Sequence, residues 1–85
     1  MPTISMFYGI LIRMFYDDHN PPHIHAIYGD CKASFTLDGE LLDGNLPNKQ
    51  RKLVEAWIAI HQDELAANWQ LAQSGEPIFR IEPLK

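Results

Sequence analysis

The 85-residue sequence is short of the features that usually place a protein quickly. It holds one cysteine, Cys31, so no disulfide within the chain can brace it. No apolar run approaches the ~20 residues of a membrane helix, since Ile10-Leu11-Ile12 is ended by Arg13. Met1-Pro2-Thr3-Ile4-Ser5 lacks the basic start of a secretory signal. A soluble cytoplasmic protein is therefore the expectation. Basic residues are scarce as well: seven Lys and Arg stand against eleven Asp and Glu, for a net charge of −4. Proteins that hold nucleic acid by its phosphates present a cationic surplus, so direct nucleic-acid binding is not expected. Lys49, Arg51 and Lys52 form the one basic cluster and read as the solvated start of a helix. Repeats, low-complexity tracts and linkers are missing too, which leaves a single domain over 1–85. A chain of this size buries only about 60–65% of its unfolded surface, so its core is thin.

What is present begins with alternation. Phe7 to Tyr16, His23 to Tyr28, Cys31 to Leu37 and Glu40 to Asp43 read as four strands. Gly29-Asp30 and Asp38-Gly39 supply turns between them, the second being a strong hairpin signal. After Gly44 the period lengthens. Pro47 suits a first helical turn, with Asn45 as a nearby cap. Val54, Trp57, Ile58, His61, Leu65, Trp69 and Ala72 then recur at helical spacing until Ser74-Gly75 and Pro77. Ile78 to Ile81 reads as a last short strand. The fold class is α+β: a four-stranded antiparallel meander packed on one long helix, with a short C-terminal strand.

Pairing the hairpins about their turns sets Tyr16 opposite His23, Met14 opposite His25 and Ile12 opposite Ile27. On the other side His25 faces Ser34 and His23 faces Thr36. The helix is then expected on the face carrying Leu11, Phe15, Ile24, Ala26, Ala33 and Phe35. The open face would carry His23 and His25 beside Tyr16, Ser34, Thr36 and Lys32, together with Ile10, Ile12 and Met14. So much apolar surface in the open suggests association. Leu53, Ala56, Ile60, Ala67 and Leu71 widen the apolar band of the helix to the same effect. Arg13 fits this register badly, because it falls on the helix face; a slip of one residue would exchange the faces.

The segment Asp17-Asp18-His19-Asn20-Pro21-Pro22-His23-Ile24-His25 gathers three of the four histidines into a proline-stiffened turn. His23 and His25 point the same way from one strand. His19 can fold back as a third ligand with Asp17 or Asp18 close behind, and such a set suits a divalent transition metal with an open position for water. The plainer reading is that the imidazoles hydrogen-bond within the hairpin. A metal-free acid–base chemistry assisted by Tyr16, Ser34 or Lys32 is a third. His61, within the apolar stripe, reads as a hydrogen-bonded core residue, and Trp57 and Trp69 as core.

Several stretches carry a resemblance. Pro2-Thr3-Ile4-Ser5, Phe7-Tyr8-Gly9-Ile10, Ile12-Arg13-Met14 and Asp18-His19-Asn20-Pro21-Pro22-His23-Ile24-His25-Ala26 resemble the small prokaryotic family known as domain of unknown function 4160. Gly44-Asn45-Leu46-Pro47, Gly75-Glu76-Pro77 and Ile81-Glu82-Pro83-Leu84 fit it as well. The resemblance implies a stand-alone protein, encoded beside a second small protein in an arrangement like a toxin–antitoxin pair. It supplies no catalytic residue or cofactor. Together these readings lead to an interaction module that binds a small partner protein, or a second copy, through the open sheet face, with Asp18 at its rim. The alternative is a small metal-dependent or histidine-based hydrolase acting on RNA or phosphoesters.

Overall fold

A computed structural model describes residues 2–16 and 18–85. Five antiparallel strands form one sheet in sequence order: β1 (Thr3–Phe7), β2 (Ile10–Arg13), β3 (His23–Tyr28), β4 (Cys31–Thr36) and β5 (Leu41–Gly44). Two helices follow, α1 (Asn48–Ile60) and α2 (Gln62–Gln73). The class is α+β; the meander has one strand more than the sequence suggested, the expected C-terminal strand Ile78 to Ile81 is not formed, and two helices stand in place of one.

The extra strand arises at Tyr8-Gly9. Both residues have positive φ, 50° and 78°, the conformation a two-residue turn needs to join twisted antiparallel strands. The expected single strand from Phe7 is thereby split. The extra helix arises at His61, whose φ of −114° and ψ of 29° interrupt the helical path. Asp63 and Glu64 lie in the first turn of α2, where carboxylates favour a helix N-terminus, and Glu64 Oε1 meets His61 Nδ1. The apolar period runs through this break, so periodicity alone does not reveal it. His61 otherwise sits as expected, largely buried against Trp57.

At the start of α1 the N-cap position belongs to Pro47, and Asn45 Oδ1 accepts from the Leu46 N–H instead of from the helix. α2 ends as expected at Gly75 (φ 72°), with the Glu76 N–H returning to the Leu71 carbonyl. The C-terminal segment forms no ladder. It is pinned by separate hydrogen bonds: Ile81 N–H to the Ile4 carbonyl (2.7 Å), Trp57 Nε1 to the Glu82 carbonyl (2.8 Å), and both polar atoms of the fully buried Asn68 to the backbone of Phe79.

The register of β2 against β3 differs by one residue from expectation. Leu11 pairs with Ile27, Ile12 with Ala26 and Arg13 with His25. Ile10, Ile12 and Met14 are consequently fully buried with Ile24, Ala26, Phe35, Trp57 and Leu65, and do not form an open-face surface. Burying three such side chains is worth roughly 1.5–3 kcal/mol each, and the slip also frees Arg13 from the core. The pairing of β3 with β4 is as expected, with His23 opposite Thr36 and His25 opposite Ser34. No helix among the described residues is long and apolar enough to cross a membrane.

Candidate functional site

The histidine hairpin closes over one carboxylate. Strand alternation sends His23 and His25 to the same side of β3, and their rings stand 5.0 Å apart. Both Nε2 atoms reach Asp18 Oδ2, at 3.0 Å from His23 and 3.2 Å from His25. The other carboxylate oxygen, Oδ1, accepts the His19 backbone N–H and meets His19 Nδ1, each at 2.9 Å. The loop is fastened from outside by Gln73 Nε2, which donates to the Asp18 carbonyl. Trp69 packs on the His23 ring at 5.5 Å, which helps to leave His23 only 3% exposed.

The outer nitrogens are held as well. His23 Nδ1 lies 2.7 Å from the Pro21 carbonyl, and His25 Nδ1 lies 3.3 Å from Ser34 Oγ. A neutral imidazole donates through one nitrogen only. His23 nevertheless faces a carbonyl on one side and a carboxylate on the other, and both of these only accept. A second positive centre, a proton or a metal ion, must therefore serve the Nε2 side. Burial works to raise the Asp18 carboxyl. The His19 N–H, the His25 hydrogen bond and the charges of His23 and His19 outweigh it and hold the carboxyl below its ordinary value of 3.8. The centre is thus built around an ionised carboxylate.

Asp18, His23 and His25 each offer one ligand atom, all within 4.8 Å of one another. At bond lengths of 2.0–2.1 Å, tetrahedral donors stand ~3.3 Å apart, close to both carboxylate–imidazole separations. The Pro21 and Ser34 contacts on Nδ1 match the outer hydrogen bonds that orient metal-binding histidines. Of the ligands expected from the sequence, His23 and His25 converge. His19 lies at the exposed rim on the opposite carboxylate oxygen, and Asp18 takes the third place. Asp17 lies outside the described residues. Tyr16 turns away, its hydroxyl accepting from the Ile78 N–H, and Thr36 Oγ1 is occupied by the Asp38 and Glu40 N–H groups of the next turn.

Beside the centre the open sheet face holds a groove of about 340 Å³. A polar row crosses four strands there: Arg13 on β2, His25 on β3, Ser34 on β4 and Asp43 on β5, each paired with the next. A bulge at Leu42 interrupts β5 just before Asp43, the partner of Ser34, a device often found where a sheet aims side chains into a site. Phe15 sits edge-on to His25 with ring centroids 4.4 Å apart. Arg13, Phe15 and Asp43 escaped the sequence reading; the one signal for them was the misfit of Arg13 in the expected register.

A family comparison covers this whole region. Residues 9–70 match the family described as a domain of unknown function, DUF4160. The chain belongs to that family. The matched span holds the histidine hairpin, Arg13, Lys32 and Ser34, while β1 and the pinned C-terminal segment, which also carried the resemblance, fall outside it. No curated protein and no solved structure matches the chain.

Proposed function

We propose that this DUF4160 protein is a small metal-dependent hydrolase whose centre is Asp18, His23 and His25. The observation that carries the reading is the environment of His23: Nδ1 fixed on a carbonyl, Nε2 aimed at a carboxylate, with His25 Nε2 converging on the same oxygen. Such a set would hold a divalent cation through three donor atoms. A divalent ion held there would supply Lewis acidity and lower the pKa of a water molecule. His19, exposed at the rim on the other carboxylate oxygen, would be the base that takes the proton of the attacking water. In phosphoester hydrolysis that water forms a new P–O bond, the P–O bond to the leaving group breaks, and the departing oxygen takes a proton from solvent.

The test is calorimetric. Chelator-treated protein should bind one equivalent of Zn²⁺ or Mn²⁺ per chain, and Asp18→Asn or His25→Ala should weaken binding at least tenfold while the far-UV spectrum is kept. Hydrolysis of bis(p-nitrophenyl) phosphate should follow metal occupancy across the variants. Binding that is absent, or unchanged in both variants, would sink the proposal.

A second reading, one half of a protein pair, keeps a narrower basis than the sequence suggested, because Ile10, Ile12 and Met14 are buried. What supports it is the exposure of Met6, Tyr8, Leu42 and Ile60 and the paired-gene arrangement that the resemblance implies. Light scattering decides it for self-association. A monomer at 100 micromolar leaves only a different partner protein.

A further inference from the structure

We infer that Arg13 and Lys32 form an oxyanion subsite in the groove beside His25, shaped for the phosphoryl group of a nucleotide-sized ester. This deepens the hydrolase reading and rests on it for the hydrolytic step, but the binding itself requires no metal.

Two observations carry the inference. Arg13 Nε is buried and has no hydrogen-bond partner among the described residues. A buried donor left unmade is costly, so it calls for an explanation such as an unseen ligand. Lys32 lines the same groove from the other side of β3. Arg13 pairs with His25, and Lys32 with Ile27 two residues along. Strand spacing and rise then set their Cα atoms ~12 Å apart, a gap that two long cationic side chains can close on one anion. Neither makes a salt bridge among the described residues.

The rest of the groove narrows the ligand class. Its volume of about 340 Å³ lies at the small end of ligand pockets, enough for one nucleotide-sized group. Phe15 and Ile27 give it apolar walls. Asp43, on the far wall, is a hydroxyl acceptor of the kind that recognises ribose. A polynucleotide would call for a run of phosphate contacts, and two cations in a chain of net charge −4 do not provide one. The anion would lie next to His25, within reach of water activated at Asp18, His23 and His25.

The experiment is an NMR titration of chelator-treated protein with inorganic phosphate and with adenosine monophosphate, monitoring backbone amides and the Arg13 Nε–H signal. Saturable shifts of Arg13, Ile27 and Lys32 are expected, tighter for the nucleotide than for phosphate. Arg13→Gln and Lys32→Gln should each weaken binding at least tenfold, whereas Arg51→Gln, on α1, should not. Lys32 is exposed, so its variant keeps the fold even if the Arg13 variant does not. Saturation in metal-free His25→Ala protein would uphold the subsite even if metal binding fails. Binding seen only after metal loading, and indifferent to Arg13 and Lys32, would overturn the subsite and leave the metal centre standing. A single-stranded oligonucleotide that binds more than tenfold tighter than the mononucleotide would overturn the ligand class.

Discussion

Gly44 is the position where a single added carbon should do most damage. It ends β5 with φ at +73°, and a Cβ built on it would stand 2.1 Å from the Lys32 carbonyl oxygen. Ordinary C···O contacts are ~3.3–3.6 Å, so Gly44→Ala requires β5 to withdraw by more than an ångström. That movement breaks the hydrogen bond from Asn45 N–H to the Lys32 carbonyl, now 3.0 Å, worth about 1 kcal/mol. The left-handed conformation adds ~1–2 kcal/mol for any residue with a Cβ. The sum is about 2–3 kcal/mol before any loss of packing at Ala33, within a total stability of roughly 4–13 kcal/mol for a domain this size.

Gly39→Ala is the internal control. Gly39 also has positive φ, +93°, but nothing lies within 4 Å of its added carbon, so it bears the conformational cost alone. Urea unfolding at 25 °C should show Gly44→Ala less stable than Gly39→Ala by at least about 1 kcal/mol. The excess corresponds to a gap in Tm of about 4–8 °C. Equal losses in the two variants would refute the close approach of β5 to β4. They would also remove Gly44 and Asp43 from the wall of the groove.

Other outcomes depend on single contacts. Asn68→Ala should cost about 2 kcal/mol in urea unfolding, for two hydrogen bonds to Phe79. It should also speed amide exchange at Phe79 and Ile81; unchanged exchange would show that the C-terminal segment is held elsewhere. In metal-free protein the Asp18 carboxyl titrates below its unfolded value of 3.8, so its contribution to stability is complete above that pH. It is lost as pH falls through the lowered folded value. Denaturation curves from pH 5 to pH 2.5 should therefore fall more steeply for wild type than for Asp18→Asn, and parallel curves would contradict the assignment. Ser34→Ala removes the hydroxyl beside His25 Nδ1 and should weaken Zn²⁺ binding ~10–100-fold, with unchanged affinity counting against an orienting role.

Much of the local structure was legible because each signal was local. The period of two over His23–Tyr28 and Cys31–Thr36 recovers β3 and β4 to within a residue, and with them the meeting of His25 and Ser34. Trp57 and Trp69 fell on the inward helical stripe and are buried. What escaped depended on context. Tyr8 in a left-handed turn has no propensity signature, since the position ordinarily favours Asn, Asp or Gly. The break at His61 lies within an unbroken apolar period. Asn68 reads as an exposed helix residue until the C-terminal segment crosses it and uses both its polar atoms.

The register of β2 joins the fold to the proposed chemistry. The residues of β2 and the two that follow it, Ile10 to Phe15, alternate between two apolar sets, Ile10, Ile12, Met14 and Leu11, Phe15, with Arg13 in the second. Burying the second set would hide one fewer apolar chain, a difference of about 1.5–3 kcal/mol. It would also desolvate a guanidinium at a cost of several kcal/mol. The core therefore selects the register in which Arg13 faces outward. Because β2 pairs directly with β3, that choice also fixes Arg13 beside His25. A cation next to the histidine–aspartate centre is thus a consequence of core packing, reached without any contact dedicated to placing it. The same selection buries Ile10, Ile12 and Met14, the surface on which a sheet-face interaction module would have depended. One hydrophobic preference moves the open face from a surface suited to protein association toward a small groove with charged walls.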